Sequence, residues 1–381
     1  MHLNTPYYLI DEQRMLVQMQ KIRTVQERSG ARCVLALKCF SAWCVFDFMK
    51  QYMAGTTSSS LWEARLGYEK FGGETHGYSV AYDEQEFHEV VGYCSKVIFN
   101  SLGQFERFAP HATGVAIGLR LNPELGHSEY ELSNTVCRFS RLGVRASQLP
   151  ADIGDRIDGA MTHVNCENAN FESFSAQLDR IEAQFADLLP KLKWLSLGGG
   201  IAFTNPDYPL ERFCERLREF GAKHALQLYL EPGEAAVTQS TSLVVKVLDI
   251  VDNELPTLVV DAGVETHMLD VLVYGFTPDI TGAKTLERNA AELKPEAGGH
   301  MYRVCGRTCL AGDHFGNYEF PEPVQIGDTL CFPNVAGYSM VKKNFFNGIR
   351  MPDIVHRRLD GELRIVQQPS YEDFRDALSQ G

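Results

Sequence analysis

Along the first two-thirds of the chain, short apolar runs alternate with segments whose apolar residues recur at helical spacing. Eight runs read as strands: VLALK (34–38), AGTTS (54–58), GYSVA (77–81), KVIFN (96–100), VAIGLRL (115–121), GAMTHV (159–164), KWLSL (193–197) and LQLYLE (226–231). Helical patterns such as SLWEARLGYEKF, DEQEFHEVVGYC and LERFCERLREFGAKH fall between them. Such alternation builds a parallel sheet with helical crossovers, and eight units predict a TIM-like (β/α)8 barrel over residues 11–240. A longer insertion, beginning NPELGHSEY, separates the fifth and sixth strands.

After Glu231 the texture changes. SLVVKVLDIVD, TLVVDAG, HMYRVCG and DTLCFPNV are strand-like segments broken by Gly and Pro, which predicts a mainly antiparallel β domain over residues 241–381. PYYLI, within residues 1–10, reads as a strand that joins this domain.

Hydrophobic residues at 44% and charged residues at 22% allow a large core and exclude disorder. The net charge of −13 argues against a nucleic-acid partner and is compatible with a cationic small molecule, although a solvated acidic surface is the commoner reason for it. No apolar stretch reaches the length of a membrane helix, and the first residues lack a signal-peptide pattern. The expectation is a cytoplasmic protein without a membrane partner. The ten cysteines include no C-x-x-C pair, so reduced thiols are expected and neither a metal site nor a disulfide framework.

The polar residues that interrupt the strands gather at strand C-terminal ends. Lys38 ends the first, Arg120 the fifth, His163 the sixth, Gly198, Gly199 and Gly200 follow the seventh, and Glu231 ends the eighth. In a barrel these ends share the face that carries the active site. Singly, each has an ordinary structural reading: a lysine snorkelling at the rim, a core histidine, a glycine turn, an Arg120–Glu231 ion pair. Together they suit pyridoxal 5'-phosphate, which bonds covalently to a lysine, needs N–H donors for its phosphate, and works as an electron sink when a carboxylate keeps its ring nitrogen protonated. The desolvation cost of a lysine in an apolar run is then met by covalent attachment.

The chain resembles the fold type III pyridoxal-phosphate enzymes, the group of alanine racemase and of ornithine and diaminopimelate decarboxylases. Within the group it is most similar to the carboxynorspermidine (carboxyspermidine) decarboxylases. The likeness is carried in order by TPYYLID, ALKCF, RLNP, SRLGV, HVNCEN, SLGGGIAF, EPGEA, VVDAG, CGRTCLAGD and AGYSMVKKNFFNG. It implies that Lys38 holds the cofactor, His163 stacks on its ring, Gly198, Gly199 and Gly200 surround the phosphate with Tyr338, and Glu231 pairs with the ring nitrogen. Arg120 belongs to the polar network beneath the ring. The resemblance also implies a homodimer with shared active sites, in which the partner contributes Cys309 as the acid that protonates the α-carbon and Asp313 as a ligand for the substrate's distal ammonium.

Departures from the better-known relatives narrow the substrate. Diaminopimelate decarboxylases commonly read C-E-S after the reactive cysteine, and here Leu310 follows Cys309. They and ornithine decarboxylase read E-P-G-R after the eighth strand, whereas here Glu234 replaces the arginine. An apolar residue and an added carboxylate favour extra amines over a distal carboxylate, hence norspermidine or spermidine as product and Glu234 as a substrate-binding residue. A solvated loop residue is the other reading of Glu234. The alternatives are decarboxylation of diaminopimelate, ornithine or arginine, and, in another class, a catalytically silent cofactor-binding regulator. Silent relatives are expected to lack the lysine or the cysteine, and both are present.

Overall fold

The computed structural model describes residues 3–252, 254–288 and 299–379. These residues form two compact units, Val17–Ala236 and the described parts of Met1–Leu16 with Val237–Gly381.

In the first unit, eight parallel strands close into a barrel: Arg32–Ala36, Gly55–Ser58, Glu74–Ser79, Lys96–Phe99, Ala116–Asn122, Gly159–Met161, Trp194–Ser196 and Gln227–Leu230. Pairing of Tyr229 with Arg32 joins the last strand to the first. The crossover helices begin where a polar side chain satisfies an orphan N–H: Ser60 caps Leu61–Leu66, Asp83 caps Glu84–Tyr93, Ser101 caps Leu102–Phe108 and Asn170 caps Phe171–Gln184. The long insertion after the fifth barrel strand is mostly irregular, with two short pairings, Leu121–Asn122 against Val144–Arg145 and His127–Ser128 against Asn165–Cys166.

The barrel is filled, not hollow. Val34, Ile98, Met161, Trp194 and Tyr229 meet in its interior. The Trp194 indole takes space that two register-matched glycines leave free: a Cβ at Gly118 or Gly159 would lie 2.4 or 2.1 Å from its ring. At the strands' N-terminal end Glu74 pairs with Arg32 and Lys96, and accepts hydrogen bonds from His76 (3.1 Å) and the Tyr229 hydroxyl (2.9 Å). Burial alone would raise the Glu74 pKa, but the bonds from His76 and Lys96, with their charges, hold it well below the usual carboxylate range. This end is closed by charge pairing, which leaves the opposite mouth for chemistry.

The second unit is a mixed sheet. Tyr7–Asp11 runs antiparallel to Thr241–Val251 and parallel to Asp353–Arg357. Thr241–Val251 also pairs antiparallel with Thr257–Val260 and Thr329–Phe332. The antiparallel pair His300–Cys305 and His314–Phe320 extends the sheet, joined to Thr257–Val260 in parallel fashion. Antiparallel pairing predominates among the described residues, as expected, with the parallel contacts made by strands that arrive from distant parts of the chain.

Candidate active site

Lys38 does not lie in a strand. The first barrel strand stops at Ala36, and the Cys39 and Phe40 N–H groups donate back to the Ala36 carbonyl (3.0 and 3.3 Å), so Lys38 stands in a turn. The expected strand 34–38 is corrected by this turn, whose residues Leu37, Cys39 and Phe40 are as buried as strand residues. Nor is Lys38 packed away: its side chain is exposed within the barrel mouth. Protein surrounds the mouth closely, and this desolvation holds the Lys38 pKa below the ordinary lysine value, with Glu231 opposing the shift and Arg120 adding to it.

His163 follows the sixth strand, and its Nε2 lies 3.4 Å from Lys38 Nζ. The Gly199 N–H donates to its Nδ1 at 3.2 Å. Burial holds the imidazole pKa well below its usual value, with the charges of Lys38 and Arg120 acting in the same direction. A neutral ring that accepts at Nδ1 carries its proton on Nε2. That proton faces Lys38 Nζ, so the contact becomes a hydrogen bond once the amine gives up its own proton, the direction in which its pKa is shifted.

The sixth-strand end also anchors Arg120. Its guanidinium donates to the His163 carbonyl (2.9 Å) and the Tyr78 hydroxyl (2.6 Å), and lies 5.1 Å from the Tyr78 ring centre. Tyr78 donates in turn to Asn100 Oδ1 (2.9 Å). Glu231 is not the partner of Arg120, so the structural ion pair considered above is absent. Instead the Ser196 hydroxyl donates to Glu231 Oε1 at 2.5 Å while accepting the Gly198 N–H at 3.2 Å.

The glycine triplet behaves differently from a simple row of outward donors. The Gly198 and Gly199 N–H groups are taken by Ser196 and His163, and among the described residues the Gly200 N–H has no acceptor. Gly198 and Gly200 adopt φ of +67° and +79°. A Cβ at Gly198, Gly199 or Gly200 would meet His163, the Glu231 carbonyl or the Asn165 carbonyl within 2.6 Å, so the segment must be glycine to lie this close.

Glu234 stands at the start of the short helix Glu234–Val237, its Oε2 3.9 Å from Cys39 Sγ, beside the lysine turn. Sequence reasoning missed Glu63, Tyr78, Asn100 and Ser196. Glu63 is the one with a legible signal, because Ser60 and Glu63 have capping-box spacing: Ser60 Oγ accepts the Glu63 N–H (3.3 Å) and Glu63 Oε2 accepts the Ser59 N–H (2.6 Å). Burial raises the Glu63 pKa, against that bond and the Lys38 charge.

Cys309, Asp313 and Tyr338 belong to the sheet unit. Cys309 is exposed and is bracketed by Asn347, whose Oδ1 accepts its N–H (2.6 Å) and whose Nδ2 donates to its Sγ (3.2 Å). Asp313 is buried. Its Oδ1 accepts the Val264 N–H (2.8 Å), and its Oδ2 the Thr308 N–H (2.9 Å) and hydroxyl (2.6 Å). That is the geometry of a loop organiser and differs from the expected contact with a substrate ammonium. Tyr338 takes a left-handed backbone, φ +54°, with Lys342 Nζ 4.9 Å from its ring centre.

The family model described as the pyridoxal-dependent decarboxylase C-terminal sheet domain matches residues 8–336. The chain belongs to the pyridoxal-dependent decarboxylases. A Herminiimonas arsenicoxydans relative, a carboxynorspermidine/carboxyspermidine decarboxylase, is 49% identical and covers 99% of this chain and 100% of its own. A carboxyaminopropylagmatine decarboxylase from a Synechocystis species is 34% identical over 99% of this chain and 96% of its own. The crystal structure of carboxynorspermidine decarboxylase from Campylobacter jejuni, complexed with norspermidine, superposes with a TM-score of 0.92 at 33% identity, covering 98% and 100% of the two chains. Pyridoxal phosphate fits what this decarboxylase presents: a lysine amine whose pKa is held down, a buried carboxylate with one oxygen already oriented, and a glycine segment whose backbone lies open to close approach. No helix among the described residues is long and apolar enough to cross a membrane.

Proposed function

We propose that this decarboxylase removes CO₂ from the amino-acid end of a carboxylated polyamine, carboxynorspermidine or carboxyspermidine, and releases norspermidine or spermidine. The observation that carries this reading is the end-to-end relation, at 49% identity, to a decarboxylase of that substrate pair. Glu234 beside the lysine turn supports it, since a carboxylate there meets a secondary ammonium and repels a distal carboxylate.

Bound pyridoxal phosphate supplies an aldehyde for the substrate amine and a ring that accepts the electron pair left by CO₂. Lys38, its amine pKa held down by desolvation, would hold the cofactor covalently through Nζ. Glu231, oriented by Ser196, would pair with the ring nitrogen and keep it protonated. His163, fixed by Gly199 and with its carbonyl held by Arg120, would stack on the ring. Gly198, Gly199 and Gly200 would let the backbone approach the phosphate, and Tyr338 would be a further phosphate ligand. Cys309, supplied by the second copy in a homodimer, gives its Sγ proton to the α-carbon. Asp313 serves by shaping the Cys309 loop. In this reading the barrel unit carries Lys38 and the Cys309 loop of the sheet unit serves the partner's site.

The test is CO₂ release from carboxynorspermidine, carboxyspermidine, carboxyaminopropylagmatine, diaminopimelate and ornithine in parallel, with wild type and Glu234→Gln. One of the first two is expected to dominate. A charge-assisted hydrogen bond contributes about 1.5–3 kcal/mol, so Glu234→Gln should lower kcat/KM roughly ten- to a hundredfold on it. An analogue with a methylene in place of the secondary amine should lose little more. Equal losses on amine and methylene substrates would remove Glu234 from substrate recognition. Faster turnover of carboxyaminopropylagmatine would move the assignment to the substrate of the Synechocystis relative.

A further inference from the structure

The loop that carries Cys309 is gripped from two directions. From within, Asp313 ties Thr308 to Val264. From a separate segment, Asn347 makes the two contacts to Cys309, and the first decides the second: an amide oxygen that accepts the Cys309 N–H at 2.6 Å leaves only the NH₂ to face Sγ. Sγ is thus an acceptor in this contact, and its own hydrogen is turned away from Asn347.

The clamp is itself built. Asn347 has a left-handed backbone, φ +57° and ψ 4°, a conformation asparagine tolerates better than most residues. Gly348 follows with φ +63°, close under the Phe374 ring, and Phe345 packs on Phe374 at 5.8 Å between ring centres. Upstream, Asn344 Oδ1 accepts the Phe346 N–H (2.9 Å) and its Nδ2 donates to the Glu265 carbonyl (2.9 Å). A segment this tied down holds the Asn347 amide at a fixed place relative to the thiol.

We propose that Asn347 is a positioning residue for Cys309, holding Sγ so that its hydrogen faces the substrate and meeting with Nδ2–H the charge left on sulfur. This rests on the reading of Cys309 as the proton donor. In the step it serves, the S–H bond breaks with its electron pair staying on Sγ, and the pair left on the α-carbon by departing CO₂ forms the new C–H bond.

Asn347→Asp and Asn347→Gly both tolerate the left-handed backbone, which separates the clamp from mere turn formation. The aspartate keeps an acceptor for the Cys309 N–H and turns an oxygen toward Sγ; the glycine removes both contacts. Cys309 is the exposed member of the ten cysteines, so its alkylation by iodoacetamide can be followed by peptide mass spectrometry on cofactor-loaded protein without substrate. In Asn347→Asp the labelling rate at neutral pH should fall roughly tenfold, because the reacting form of the thiol is its anion. In both variants kcat should fall while KM stays near wild type. Wild-type labelling and wild-type kcat in both would overturn the proposal. A parallel Cys309→Ala protein keeps the two ideas apart: if it retains full kcat, the proton-donor reading fails, whereas the labelling rates still decide whether Asn347 governs the thiol.

Discussion

At Lys38 the amine faces His163, whose Nε2 lies 3.4 Å from Nζ on a ring held by the Gly199 N–H. The surroundings set how far that amine is displaced from an ordinary lysine: desolvation lowers its pKa, Glu231 raises it, and Arg120 lowers it again. Removing the Glu231 charge therefore shifts the Lys38 pKa further down, so more of the amine is free at a given pH. In cofactor-free protein the rate of pyridoxal-phosphate capture, followed by absorbance, should rise with pH and level off below the range of an ordinary lysine. In Glu231→Gln the levelling should move to still lower pH, and, with Glu231 as the proposed ring-nitrogen partner, decarboxylation should collapse. Borohydride should fix the pyridoxyl group on the Lys38 peptide in both proteins. A levelling that moves upward in Glu231→Gln would show that Glu231 does not act on Lys38 through its charge.

The same logic of displacement by neighbours operates between elements, where the barrel interior is a fit of one large residue to two absent ones. Gly118 and Gly159 sit opposite each other on adjacent strands with the Trp194 indole over both. Gly159→Ala forces a Cβ into that ring and should destabilise the protein by about 1–3 kcal/mol or more. In a Trp194→Ala background, itself costing about 3–5 kcal/mol through the cavity it opens, the added methyl group should cost nearly nothing. Denaturant unfolding of the four proteins checks this, and additive losses would exclude the clash as the cause. Elements of this kind were legible in the sequence by alternation alone, and the polar residues that broke the alternation marked the mouth. What alternation could not show is the turn at Leu37–Phe40, whose Leu37, Cys39 and Phe40 are as buried as strand residues and which is set apart by where its N–H groups go. Nor could it show that two of the three cradle glycines spend their N–H groups on Ser196 and His163, since the His163 bond is set by pairing of distant strands. Asp313 is illegible for a related reason: a carboxylate near a reactive cysteine reads alike whether it faces a ligand or the interior, and the structure adds that Val264 and Thr308 donate to its oxygens.

For the molecule as a whole, a net charge of −13 favours the approach of a polycationic substrate, an attraction that salt screens. Whether one chain suffices for turnover depends on where Cys309 acts. Lys38 and its neighbours lie in one unit and Cys309 with its Asn347 clamp in the other, and in the homodimer we propose each site draws Lys38 from one copy and Cys309 from its partner. Lys38→Ala and Cys309→Ala proteins should then each be nearly inactive. Mixed in equal amounts and allowed to exchange subunits, they pair at random, so about half the dimers carry one copy of each. In such a dimer one site combines intact Lys38 with intact Cys309, and the other combines both defects. One working site in two, in about half the dimers, restores roughly a quarter of wild-type activity. Sedimentation or native mass spectrometry on separately tagged chains verifies exchange independently of activity. Activity that stays at the single-variant level in fully exchanged mixtures would place Cys309 in the site of its own chain, whereas recovery near a quarter requires that the two copies share their sites.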